Sequence, residues 1–187
     1  MEETAYNSND IALELARLHI LSGIDFSRQL QAITMRKEFI PVKGETSIFS
    51  AISETDQDFD ALLNAARRAV EHGYRVFIFP NPKNIRTADF IFERKGLYRM
   101  YDLKTIQGKS SIMNRLVESI GQTNHVLLNM ATSYNARLLA TQIQRYFQLN
   151  PTASEILIFK SKQAISIKRG YALNKLFILS FSRKYGK

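Results

Sequence analysis

The chain is 187 residues long and nearly half apolar, enough for one well-buried core with an appended helical segment. Lysine and arginine outnumber aspartate and glutamate by 26 to 17, and the formal charge of +9 favours a polyanionic partner, nucleic acid first. The absence of cysteine excludes disulfides, zinc–thiolate sites and thiol nucleophiles, so any metal must sit on oxygen or histidine ligands.

No apolar run approaches the roughly 20 residues that a spanning helix needs, so no membrane partner is expected. Met1 to Asp10 is polar and acidic and lacks the basic start and apolar stretch of a secretory signal, which makes a cytoplasmic location the expectation.

In chain order, Ile11 to Leu21 places apolar residues at helical spacing behind the capping residues Asn9 and Asp10, and a second short helix is expected over Phe26 to Thr34. These form an N-terminal helical layer, residues 1–50, packed on an α/β domain of residues 51–187. Lys37 to Val42 reads as extended, and Lys43 to Asp58, rich in Gly, Ser, Thr and acids, as a loop. Phe59 to His72 is amphipathic and ends at Gly73, the expected left-handed cap, and Tyr74 to Phe79 follows as a buried strand. Ala88 to Phe92 and Leu97 to Leu103, separated by Glu93-Arg94-Lys95-Gly96, read as a hairpin.

A helix is expected from Ser110 to about Gln122, with Ile112, Met113, Leu116, Val117 and Ile120 on its apolar face and Ser111, Arg115, Glu118 and Gln122 on its polar stripe. Strand His125 to Met130, helix Asn135 to Phe147 and strands Glu155 to Phe159 and Ala164 to Lys168 complete an α/β chain with a mixed sheet flanked by helices.

Asp102 and Lys104 are two apart in the second hairpin strand, so both side chains lie on one face, while Leu103 points the other way, into the core. Asp89, in the opposite strand, folds back toward the level of Asp102. Two hard carboxylate oxygens, helped by the Leu103 carbonyl, suit Mg2+ (or Mn2+), which can polarise a phosphate and acidify a bound water. Lys104 can then orient that water and neutralise developing charge. A D-x-K triplet by itself also occurs on ordinary solvated strand edges. Gln122 reads equally as a residue bordering the carboxylates and as a helix cap.

Other motifs carry less. Gly108-Lys109-Ser110 lacks the first glycine of a phosphate-binding P-loop, since Leu103 stands at that position. His19, His72 and His125 lie on separate elements without metal-ligand spacing and read as structural or surface residues. Arg75, Lys83, Arg86, Arg94 and Lys95 flank the hairpin and suit phosphate contacts. Lys160, Lys162, Lys168, Arg169, Tyr171, Lys175, Arg183, Lys184 and Tyr185 form either an RNA-binding flank or a solubilising surface, with Phe177 and Phe181 packed on the core.

The succession A-D-F-I-F (88–92), Y-R-M-Y-D-L-K-T (98–105) and S-I-G-Q-T-N-H-V-L-L-N (119–129) resembles the PD-(D/E)XK nuclease superfamily, with its restriction-endonuclease-like core. More narrowly, the D-x-K, the G-K-S and the Gln-bearing helix resemble the C-terminal tRNA-nuclease domains of bacterial contact-dependent inhibition (CdiA-type) toxins. The resemblance implies Asp89 and Asp102 as metal ligands, Lys104 as the catalytic lysine, Gln122 as the glutamine beside the site, and Arg86, Lys109 and Arg115 as nucleic-acid contacts. It implies a metal-dependent endonuclease acting on RNA, tRNA above all, and an acidic immunity protein as partner. The family's first-helix acid is mostly Glu, and this chain offers Asp60, with Asp56 and Asp58 upstream; Glu71 fits less well. A DNA endonuclease of a mobile element and a non-catalytic nucleic-acid-binding module are the rival readings.

Overall fold

The structure is a computed structural model, and it describes residues 8–18, 23–80, 85–108 and 112–186. Among these are seven helices and eight strands, parallel and antiparallel, in a mixed α/β arrangement that divides into two compact units. The first comprises residues 1–102 and 121–123, the second residues 103–120 and 124–187.

The first unit begins with helices α1 (Ser8–Leu18) and α2 (Gly23–Thr34). Its strands follow in the order β1 (Ile40–Pro41), β2 (Ile48–Ser50), β3 (Arg75–Ile78), β4 (Phe90–Arg94) and the opening residues of β5 (Leu97–Ile106). β2 is parallel to β3, and the other pairings are antiparallel. The parallel pair is possible because α3 (Phe59–Glu71) supplies the crossover between β2 and β3. β2 lies within the segment expected as loop, and the extended stretch at 37–42 narrows to β1.

Alternation gives the strands two buried faces. On one, Phe77, Phe79, Ile91 and Met100 pack with Ile11 and Leu18 of α1 and Phe26, Leu30 and Ile33 of α2. The spacing of those α2 residues, four and then three, is the period that lays one helical stripe on a sheet. None of the buried side chains of α3 belongs to this cluster, so α3 covers the opposite face of β3. That face carries Val76, Ile78, Phe90, Phe92 and Tyr101, with Phe92 and Tyr101 ring centroids 4.8 Å apart. Gly73 (φ +80°) ends α3 as expected.

The second unit holds the last residues of β5, α4 (Ile112–Glu118), β6 (His125–Met130), α5 (Ala136–Leu149), β7 (Glu155–Lys160), β8 (Gln163–Lys168), α6 (Arg169–Ala172) and α7 (Phe177–Tyr185). β6 and β7 are parallel, with α5 as crossover, and β8 returns antiparallel beside β7. Val126, Leu128, Ile156, Ile158, Ile165 and Ile167 form one sheet face against Leu139, Ile143 and Phe147 of α5 and Phe177, Phe181 and Tyr185 of α7. Asn135 caps α5 by accepting the Leu138 N–H at 2.9 Å.

α4 is shorter than its sequence period. It ends at Glu118, where the Ser119 hydroxyl donates to the Leu116 carbonyl at 2.6 Å and Gly121 takes φ +85°. Gln122 therefore stands in a turn rather than on the helix, and Val117 and Ile120, expected on the apolar face, are exposed. No helix among the described residues is long and apolar enough to cross a membrane.

Candidate functional site

The hairpin that carries the candidate carboxylates is set by its turn. Lys95 (φ +54°) and Gly96 (φ +76°) are both left-handed, which makes a two-residue type I′ connection whose twist matches the strands it joins. The Glu93 carboxylate accepts the Gly96 N–H at 2.8 Å and holds the turn closed. This turn fixes the register, pairing Arg94 with Leu97 and, at the far end, Phe90 with Tyr101.

Asp89 and Asp102 are the next residues beyond that last pair. On its β3 side Asp89 keeps register, its carbonyl accepting the Phe79 N–H at 2.9 Å. On its β5 side it slips by one, its N–H donating to the Tyr101 carbonyl at 3.0 Å. The chain thus bends at Asp89, just beyond the last pair of the hairpin ladder. Both are buried, Asp89 at 8% exposure and Asp102 at 1%. Asp102 lies on the face of Met100, by alternation from the residue two before it.

Leu103 and Lys104 follow on β5, where the strand passes from the first unit into the second, and both are half-buried. Leu103, expected to point into the core, is thus less buried than Asp102. Lys104 belongs to the second unit and Asp102 to the first. Gln122 is half-buried in the first unit, where the neighbouring Thr123 hydroxyl donates to the Met100 carbonyl at 3.1 Å. That bond ties residues 121–123 to β5 two residues before Asp102.

Other candidates stand elsewhere. Asp60 is exposed in the first turn of α3, the helix that covers the other face of β3. Glu71, at the end of that helix, is also exposed. Arg86 is exposed just before Asp89. Arg115 is exposed on α4 and paired with Glu118 at 3.3 Å. Lys109, Ser111, Lys83 and His19 lie outside the described residues. His72 and His125 are half-buried on separate elements.

Asp89 and Asp102 carry hard carboxylate oxygens of the kind Mg2+ or Mn2+ takes, and they are the residues that would hold such an ion. Among the described residues, no three His, Cys, Asp or Glu come together in a group that could hold a metal ion, so Asp60 does not complete the pair.

Neither a family of proteins nor a curated protein matches the sequence. Among solved structures, the chain is similar to a CdiA-CT/CdiI toxin and immunity complex from Burkholderia pseudomallei, at 16% identity and a TM-score of 0.42, over 63% of this chain and 92% of that one.

Proposed function

We propose that the chain is a metal-dependent endonuclease that hydrolyses phosphodiester bonds of RNA, tRNA in particular, in a toxin-like role on a PD-(D/E)XK-type core. What supports this reading is the burial of two carboxylates, Asp89 and Asp102, each next in sequence to the last pair of the β4–β5 ladder. Two ionised carboxylates held together away from water repel, and each loses hydration; a shared divalent cation relieves both costs. A core would not be built this way for stability alone, because an apolar pair at these positions would pack more favourably.

A Mg2+ or Mn2+ ion on Asp89 and Asp102 would polarise the scissile phosphate and supply an acidified water. The chain's own residues do the rest. Lys104, two residues along β5, is the cation that neutralises charge on the phosphate oxygens and orients the attacking water. Arg86, exposed three residues before Asp89, suits a flanking phosphate. The choice of RNA rests on the sequence resemblance, and the net charge of +9 supports a nucleic acid of either kind. The same charge suits an acidic inhibitor protein, the immunity partner that the resemblance implies.

That no third acid joins the two among the described residues favours a second reading, a nucleic-acid-binding module without turnover. Incubating the protein with total tRNA and with plasmid DNA, in Mg2+ and in EDTA, beside Asp102→Ala and Lys104→Ala variants, separates them. Cleavage of tRNA alone, abolished by EDTA and by both substitutions, is the expected result. Cleavage of DNA selects a DNA nuclease, and binding without cleavage selects the second reading.

A further inference from the structure

Charge is divided unequally between the two units. The first carries 13 Lys and Arg against 15 Asp and Glu, a net −2; the second carries 13 against two, a net +11. The basic character of the chain is therefore a property of the second unit.

Pairing sharpens the contrast. In the first unit Arg28 pairs with Asp25, Arg36 with Glu14, Arg67 with Glu45 and Arg75 with Glu93. In the second, both acids are already engaged: Glu118 pairs with Arg115, and Glu155 is buried and accepts the Ser166 hydroxyl at 2.5 Å. Some of the cations there hold the fold together. Arg169 donates to the Phe147 and Asn150 carbonyls at 2.6 and 2.8 Å, and Lys160 donates to the Tyr185 carbonyl with its ammonium 4.2 Å from that ring's centroid.

Of the remaining cations, Lys162 and Lys168 are exposed on the β7–β8 hairpin, and a second set stands on and between α5 and α7. Along α5, Arg137, Thr141, Arg145 and Gln148 are all exposed and spaced four, four and three residues apart, so they form one polar stripe opposite the buried Leu139, Ile143 and Phe147. Lys175, between α6 and α7, and Arg183 and Lys184, in the last turn of α7, are exposed as well. α7 packs on α5, and the Gln144 amide donates to the Ala172 and Asn174 carbonyls at 2.9 and 3.4 Å, which fastens the link bearing Lys175 to α5. None of Arg137, Arg145, Lys175, Arg183 and Lys184 forms an ion pair among the described residues.

Like charges gathered on one surface without counter-charges repel one another and destabilise the fold, and a bound polyanion removes that cost. Arg137 and Arg145 stand eight residues apart, about 12 Å along the helix axis, which spans three to four nucleotides at roughly 3.4 Å of rise per strand. We propose that the α5–α7 face of the second unit binds the phosphate backbone of a nucleic acid without regard to sequence, through Arg137, Arg145, Lys175, Arg183 and Lys184. This rests on the nucleic-acid part of the proposed function and assigns substrate holding to a surface made wholly of second-unit residues.

The test is binding of the full chain to total tRNA in EDTA, followed over a salt series, so that no cleavage enters. Five phosphate contacts predict a slope of log affinity against log salt of about −3.5 to −4.5. Arg137→Ala/Arg145→Ala should lower its magnitude by about 1.5 and weaken binding at least about tenfold at low salt. Arg137→Lys/Arg145→Lys should keep the slope, because it keeps the charge, and Arg28→Ala/Lys43→Ala in the first unit should leave it unchanged. Equal weakening by both alanine pairs, or no weakening by the first in a protein with an unchanged melt, would overturn the proposal. So would binding to vesicles of phosphatidylserine and phosphatidylcholine in place of tRNA, the outcome that the exposed Leu173, Leu176 and Leu179 beside these cations would produce. Binding that follows this pattern without any cleavage in Mg2+ would refute the nuclease reading alone.

Discussion

Replacing Asp102 with Asn tests whether the buried carboxylate pair exists for a ligand or for the fold. The substitution keeps shape and removes one of two like charges. If the two carboxylates share a cation they stand about 5 Å apart, and at an effective dielectric of 20 two unit charges at that distance repel by roughly 3 kcal/mol. Polar groups around a buried carboxylate offset part of this, so a gain of about 1–2 kcal/mol is expected in EDTA. For a chain of this length that is about 2–8 °C in midpoint. Added Mg2+ should reverse the order: wild type gains about 2.7 kcal/mol at a hundredfold excess over the dissociation constant, and the variant gains little. Thermal unfolding of both proteins in EDTA and in Mg2+ measures all four values. A loss of about 3–5 kcal/mol in EDTA would refute the reasoning, because it is the cost of breaking a buried ion pair and would make Asp102 a structural anchor.

Three other substitutions test the frame. The Tyr185 hydroxyl is buried with no hydrogen-bond partner, so Tyr185→Phe should leave stability unchanged or raise it by up to about 1 kcal/mol in denaturant unfolding at neutral pH. Burial raises the Tyr185 pKa, so its neutral form supports the fold below about pH 10 and that support is lost as pH climbs through the raised value; Tyr185→Phe should remove this alkaline loss. Gly96→Ala forces a side chain onto φ +76° in open space, so the cost is backbone strain alone, about 1 kcal/mol, read as a lower denaturant midpoint. Phe177→Ala should cost about 3–5 kcal/mol and Leu176→Ala, one residue earlier and exposed, within about 0.5 kcal/mol of nothing, which checks that α7 is part of the core of the second unit.

What could be read from the sequence follows from how local each signal is. Strand His125–Met130 was legible because the apolar run Val126-Leu127-Leu128 sits between polar His125 and Asn129. The β4–β5 hairpin was legible from Glu93-Arg94-Lys95-Gly96, of which only Lys95-Gly96 proves to be the turn. β2 was not, because three residues paired in parallel with β3 depend on a distant partner that no local pattern announces. The end of α4 was misjudged because Val117 and Ile120 continue the helical period past the Ser119 and Gly121 stop, leaving both exposed. Composition could not divide the basic tail, since only the fold separates Arg169 and Lys160, which tie down backbone carbonyls, from Lys175, Arg183 and Lys184, which do not. The α5 arginines were missed for a related reason. Arg137 and Arg145 read as the ordinary polar side of an amphipathic helix until the shortage of acids around them is seen.

The central claim is that Asp89 and Asp102 share one divalent cation, and calorimetric titration of Mn2+ into the protein tests it most directly. The account predicts one site per chain, lost in Asp89→Asn and in Asp102→Asn and retained in Asp60→Asn. Binding unaffected by the first two substitutions, or no binding by the wild-type chain, would contradict it.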